Sequence, residues 1–268
     1  MNNRTHNFML MLWCSAIMAI GVACTDDHTD FDPQPDYGKV TEIIQEWEKK
    51  GEICYDTTRF VHDDRGRIIE WWDGGRLSST IHYEADKITA SGEVDIIYLL
   101  NENGMMKKRI INGKERETFA HNAEGCLTFW TRRYGDDESH HYQTWDGHDL
   151  IKRTDVYDPD NPEERSGFME VSYYEERNLQ RVNLLDWILH NDHFIDDTFG
   201  IAEYEQCGMW TEHLPKQIKF YNNNSNYQIL LTYDINYALD ERGVVKKMIV
   251  FQKFDNNIFG YQRIVYFK

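Results

Sequence analysis

The chain has 268 residues, enough for one sizeable core. A formal net charge of −17 argues against nucleic acid as a partner, because phosphate binding wants a basic patch. The five cysteines are widely spaced, with no CxxC pair, which excludes a disulfide scaffold.

The first element is an apolar run, Phe8 to Ala23, behind a short polar head containing Arg4. At about 16 residues it falls short of the roughly 20 that a membrane span needs. It fits instead the apolar region of an export signal, residues 1–23, which is removed from the mature chain. The segment resembles a bacterial lipoprotein signal with its lipobox, Gly21-Val22-Ala23-Cys24, although Gly21 stands where Leu or Val is commoner. The resemblance implies lipidation of Cys24, so a membrane is the first expected partner. Plain secretion after cleavage at Ala23 is the alternative.

Residues 24–37 form the lipidated cysteine and an acidic tether. Asp26, Asp27, Asp30, Asp32 and Asp36 sit with Pro33 and Pro35, and such a segment lacks the apolar surface to fold. The acidic pair after Cys24 resembles the surface-export signal of Bacteroidetes-type lipoproteins. That implies an outer-membrane lipoprotein facing the medium. A spacer facing the periplasm is the plainer alternative.

Residues 38–268 read as a single β-rich domain. Val40, Ile43, Ile44 and Trp47 recur at helical spacing and Gly51 supplies a stop, which predicts an amphipathic helix over 40–50. From residue 52 short runs of β-branched and aromatic residues alternate with turn signals. The turns repeat a form: an acidic or amide residue, a Gly or Asn where the bend needs positive φ, then apolar residues. Asp64-Arg65-Gly66, Asn103-Gly104, Glu124-Gly125, Asp146-Gly147, Glu176-Arg177-Asn178 and Glu241-Arg242-Gly243 carry it. Gly104, Gly125 and Gly147 lie two strands and two turns apart, the arithmetic of a meander.

One helical insertion interrupts the strands, with Leu184, Leu185, Ile188 and Leu189 at helical spacing. Asn191–Gly200 reads as a loop, and Pro215 marks the start of a strand. Three long strands follow: Gln228–Tyr233, Val244–Phe251 and Tyr261–Phe267. Cys54, Cys126 and Cys207 allow one bridge or three buried thiols.

The predicted fold is therefore mainly all-β, a curved antiparallel up-and-down meander or barrel-like sheet. It carries a short N-terminal helix and one helical insertion. The hairpin series, the Trp145–Ile151 turn, the Leu184-Leu185-Asp186-Trp187 helix and the closing strand pair resemble a Bacteroidetes lipoprotein domain of unknown function with a porin-like fold. The resemblance covers roughly residues 60–268. It implies an antiparallel β meander and no known reaction. Lys107-Lys108-Arg109 and Arg132-Arg133 interrupt any apolar belt, so a lipid-facing barrel is not expected.

Chemistry is less legible. His190 and His193, with Asp196 and Asp197, are the best metal candidates, but their spacing matches no strong motif. His140 and His141 read as part of a hairpin tip. No GxSxG elbow or phosphate loop occurs, and no cofactor is implied. Trp71, Trp72, Trp130 and Trp145 lie on successive hairpins and could stack on sugars or fill the interior. Trp71 and Trp72, being adjacent in a strand, face opposite sides. The expectation is a surface lipoprotein, a non-enzymatic binding or structural module for a glycan or surface protein. The alternative is an extracellular glycan hydrolase whose carboxylate pair the sequence does not select.

Overall fold

The structure is a computed structural model. It describes residues 37–268 apart from 93, 136, 161, 163–165, 190–203, 223–227 and 255–259. Residues 37–268 form one compact unit.

Among the described residues sixteen strands follow one another. The first eight are β1 (Glu42–Lys49), β2 (Glu52–His62), β3 (Ile68–Asp73), β4 (Arg76–Tyr83), β5 (Lys87–Gly92), β6 (Ile96–Leu100), β7 (Met106–Ile111) and β8 (Lys114–His121). The second eight are β9 (Leu127–Tyr134), β10 (Asp137–Asp146), β11 (Asp149–Val156), β12 (Ser166–Arg177), β13 (His213–Asn222), β14 (Gln228–Leu239), β15 (Val245–Phe254) and β16 (Gly260–Phe267). Each pairs antiparallel with the next, and β1 pairs with β16, so the sheet closes into a barrel without an edge. The meander expected from the turn spacing is the observed topology.

The expected N-terminal helix is a strand. In β1, Ile43 and Gln45 are buried and Trp47 lies on the same face, which is strand alternation. Both flanks of β1 are paired: Ile43 stands opposite Phe267 of β16 and Thr58 of β2. A helix there would leave β2 and β16 as open edges, and the backbone hydrogen bonds of two ladders outweigh a weak helical preference.

The helical insertion is present as α1 (Leu184–Leu189), followed by a single turn, α2 (Tyr204–Cys207). Leu184, Leu185, Trp187, Ile188 and Leu189 of α1 are all buried. The inward-facing Arg263 of β16 donates to the carbonyls of Trp187 and Ile188, at 2.6 and 2.5 Å. Its cation thereby satisfies carbonyls left over at the helix C-terminus. Apolar residues from most strands join α1 in one core cluster inside the barrel. Pro215 lies within β13 at a register shift opposite Tyr173, a position that spares the ladder.

The two barrel ends are built differently. One carries the β2–β3, β6–β7, β8–β9 and β14–β15 connections, which share one device. The Oδ1 atoms of Asp63, Asn101, Asn122 and Asp240 each accept from the backbone N–H groups two and four residues on, over 2.8–3.1 Å. Gly243 illustrates the closing step, with φ of +80°. The Glu176–Leu179 turn departs from this form. There the positive φ falls on Arg181, and the Asn178 amide donates to the carbonyls of Val182 and Thr211. The opposite end uses tight bends such as Asn112-Gly113, both with positive φ. Cys54, Cys126 and Cys207 are free thiols.

Candidate functional site: an outward aromatic row and an inward polar chain

Alternation assigns each strand residue to the wall's inner or outer face. On the outer face, register aligns Phe129 with Tyr142, Tyr142 with Thr154, Thr154 with Phe168, and Phe168 with Tyr221. Four rings therefore stand in one row across β9 to β13. Phe129 and Tyr142 have centroids 5.0 Å apart, and Phe168 and Tyr221 stack at 4.5 Å with planes 13° apart. Tyr142 is 48% exposed.

A polar row runs beside it. Thr144 pairs with Lys152, Lys152 with Glu170, Glu170 with Lys219, and Lys219 with Thr232. Lys152 places its ammonium 4.3 Å from the Phe168 centroid, a cation–π contact. Tyr221 loses acidity through partial burial and through its hydrogen bond with Glu170. Charged mid-strand positions on the outer wall are the reverse of the apolar band a lipid-facing barrel presents.

The inner face of the same strands carries ionic groups among the apolar core. Glu117 of β8 accepts from Arg109 of β7 at 3.2 Å, and Arg132 of β9 approaches its other oxygen at 3.7 Å. Burial pushes the Glu117 carboxyl up despite both guanidinium groups. Ser139, His141 and Gln143 share the inner face of β10, with Arg153 and Asp155 opposite on β11. Ser139 Oγ lies 2.9 Å from His141 Nε2, and His141 Nδ1 lies 2.6 Å from Asp155 Oδ1. Arg153 grips Asp155 Oδ2 through Nε at 3.0 Å and a terminal nitrogen at 2.9 Å. The His141 ring stacks on Trp130 at 3.9 Å. Desolvation lowers the His141 pKa, so the ring is neutral at pH 7. Burial alone would raise the Asp155 carboxyl, but Arg153 and His141 outweigh it and hold it below the ordinary range.

The residues singled out from sequence separate. Trp71 and Trp72 do face opposite sides: Trp71 pairs with inward Phe60, and Trp72 lies outside with its indole N–H on Glu70. Trp130 is buried inside. Trp145 packs against the core with its N–H on the Leu127 carbonyl. Of the four, only Trp72 lies on the outer wall. His190 and His193, like Cys24, lie outside the described residues. His140 and His141 are strand residues of β10, with His140 outside on Glu138 and His141 inside. Phe129, Phe168 and Tyr221 were not among the sequence candidates, because only register joins them. The Ser139-x-His141 alternation was legible, whereas Asp155 is 14 residues further along.

Neither a family model nor a curated protein matches the chain. Solved structures do. A porin-like protein from Bacteroides uniformis superposes with a TM-score of 0.63 at 17% identity, over 85% of this chain and 97% of that one. A porin-like protein from Bacteroides vulgatus gives 0.57 at 14% identity, over 86% and 98%. At these identities the likeness is one of fold, a closed antiparallel barrel with a porin-like course.

Proposed function

We propose that the protein is a surface-displayed lipoprotein of the outer membrane whose barrel binds glycan along its outer wall. The observation that carries the reading is the row Phe129–Tyr142–Phe168–Tyr221 beside Lys152, Glu170 and Lys219. Pyranose rings present C–H faces with partial positive charge, which suit the negative face of an aromatic ring. Hydroxyls then find charged partners in the neighbouring row. The charged outer wall suits a barrel standing in water on a lipid anchor at Cys24, rather than one embedded in the bilayer. The solved porin-like neighbours come from Bacteroides, which agrees with the acidic export-like segment after Cys24.

A hydrolase acting through two free carboxylates gains no support from the inner face. Glu117 and Asp155 are each held by arginine. Affinity electrophoresis against a panel of soluble polysaccharides tests binding. One glycan should retard the protein, and Tyr142→Ala with Phe168→Ala should weaken its binding about tenfold, the loss of roughly 1.4 kcal/mol of stacking. Binding unchanged by both substitutions sinks the proposal. For the anchor, Cys24→Ser should move the protein from the membrane to the soluble fraction.

A further inference from the structure

The inner chain Ser139–His141–Asp155 goes beyond a binding role. We propose that Ser139 is an activated nucleophile that accepts acyl groups from carboxylic esters, with His141 as its base and Asp155 as the residue that orients the base.

An ionised Asp155 can only accept, so His141 carries its proton on Nδ1 and donates it to Asp155 Oδ1. Nε2 is then an acceptor, and the 2.9 Å contact is Ser139 Oγ–H donating to it. This is the order of contacts that removes a proton from a serine hydroxyl. The arrangement is fixed from both sides. Arg153 clamps the second Asp155 oxygen, and Trp130 stacks on the imidazole. Arg132 stands opposite Ser139 in register on the same inner face, where its Nε lies 3.7 Å from a Glu117 oxygen. Ser139 is only half-buried and lies near the start of β10, whereas His141 is buried behind it. The proposal therefore requires a small reagent to reach the hydroxyl from that end of the strand while the base stays dry.

Ser139 Oγ bonds to the ester carbonyl carbon as its proton passes to His141 Nε2. The tetrahedral species collapses, the carbon–alkoxide bond breaks, and the alcohol leaves with the proton from Nε2. Water then attacks the acyl carbon and gives a proton to Nε2. That proton returns to Ser139 Oγ as the carboxylic acid departs.

A buried histidine also needs both nitrogens satisfied, and Ser139 could serve that end alone. A fluorophosphonate separates the two roles. With this reagent Oγ bonds to phosphorus, the P–F bond breaks, and fluoride leaves while His141 takes the proton. The purified full chain, incubated with the probe and digested, should give a phosphonyl adduct on Ser139 by mass spectrometry. Ser139→Ala should give none, and His141→Gln should slow labelling on the order of 100-fold. The wild-type rate should also be level above about pH 6.5 and fall at lower pH as His141 gains a proton. The charged and titratable groups facing that ring are Asp155 and Arg153 on β11, Arg132 on β9 and Tyr157 just beyond β11. If His141→Gln does not fold, the wild-type pH profile decides. Absence of a Ser139 adduct under conditions that fully label a serine esterase overturns the proposal. So does labelling that ignores pH, and so does a Ser139→Ala variant that merely melts earlier beside an unlabelled wild type.

Discussion

Gln143 shows how the barrel interior weighs on single residues. It is 7% exposed, and among the described residues neither its amide nitrogen nor its oxygen has a partner. An unmatched buried amide costs about 1–3 kcal/mol, so Gln143→Met, close in volume, should raise the melting temperature. A lower value in thermal denaturation would show that the amide is satisfied in solution. Cys126 is the opposite case, a buried polar group that is partnered. Its thiol lies 3.2 Å from His148 Nδ1, and burial pushes its pKa up to about 11. The thiolate is the nucleophile. Native alkylation with iodoacetamide at pH 8 should therefore leave Cys126 unmodified until the protein is denatured.

At the scale of elements, the four side-chain-capped turns make one barrel end a set of equivalent parts. Each Oδ1 ties down two backbone N–H groups that the hairpin leaves unpaired. Asn101→Ala and Asp240→Ala should each cost about 1 kcal/mol by denaturant titration, in line with side-chain caps elsewhere. Because β6 and β7 do not neighbour β14 and β15 in the barrel, the costs should add in the double variant. Gly208, following α2, is less tolerant. It has φ of +72°, and a Cβ there would lie 2.1 Å from the Gly125 carbonyl oxygen. Backbone meets backbone, so Gly208→Ala should cost more than either cap removal. The same contact region holds the Leu127 N–H on the Gly208 carbonyl, which ties the α2 segment to the β8–β9 turn.

For the whole molecule, burial of histidines sets the response to acid. His62, His121 and His141 all have pKa values lowered by desolvation. Each binds a proton more readily unfolded than folded. Stability is therefore full above the unfolded value near 6.5 and declines as pH falls from there through the lower folded values. Asp155, depressed in the fold, adds a second loss below about pH 4. Melting temperature should thus fall between pH 7 and 5 at constant ionic strength, and His121→Gln should reduce that slope. Buried Glu117, its pKa raised in the fold, gains stability as pH falls and opposes this slope, so an unchanged slope in His121→Gln is the result that would contradict the burial of that ring. Leu185 of α1 is buried in the core cluster, so Leu185→Ala should cost about 2–5 kcal/mol as a core cavity.

The sequence by itself determined the class and the connectivity. Gly and Asx signals at regular spacing mark hairpins, because positive φ and local side-chain capping are properties of a few consecutive residues. The buried helix at 184–189 was legible for the same reason, since its apolar positions lie within two turns. Alternation also told that Trp71 and Trp72 face opposite sides. Tertiary structure decided the rest. Residues 42–49 have helical apolar spacing, yet they form the strand that closes the barrel, because two ladders await them from β2 and β16. Inside and outside are defined only once the sheet closes, which sends Trp71, Trp130 and Trp145 inward. Register between strands far apart in sequence assembles Phe129, Tyr142, Phe168 and Tyr221 outside, and Ser139, His141 and Asp155 inside. A one-residue slip in pairing would dissolve both groups, and no local run of sequence encodes that alignment.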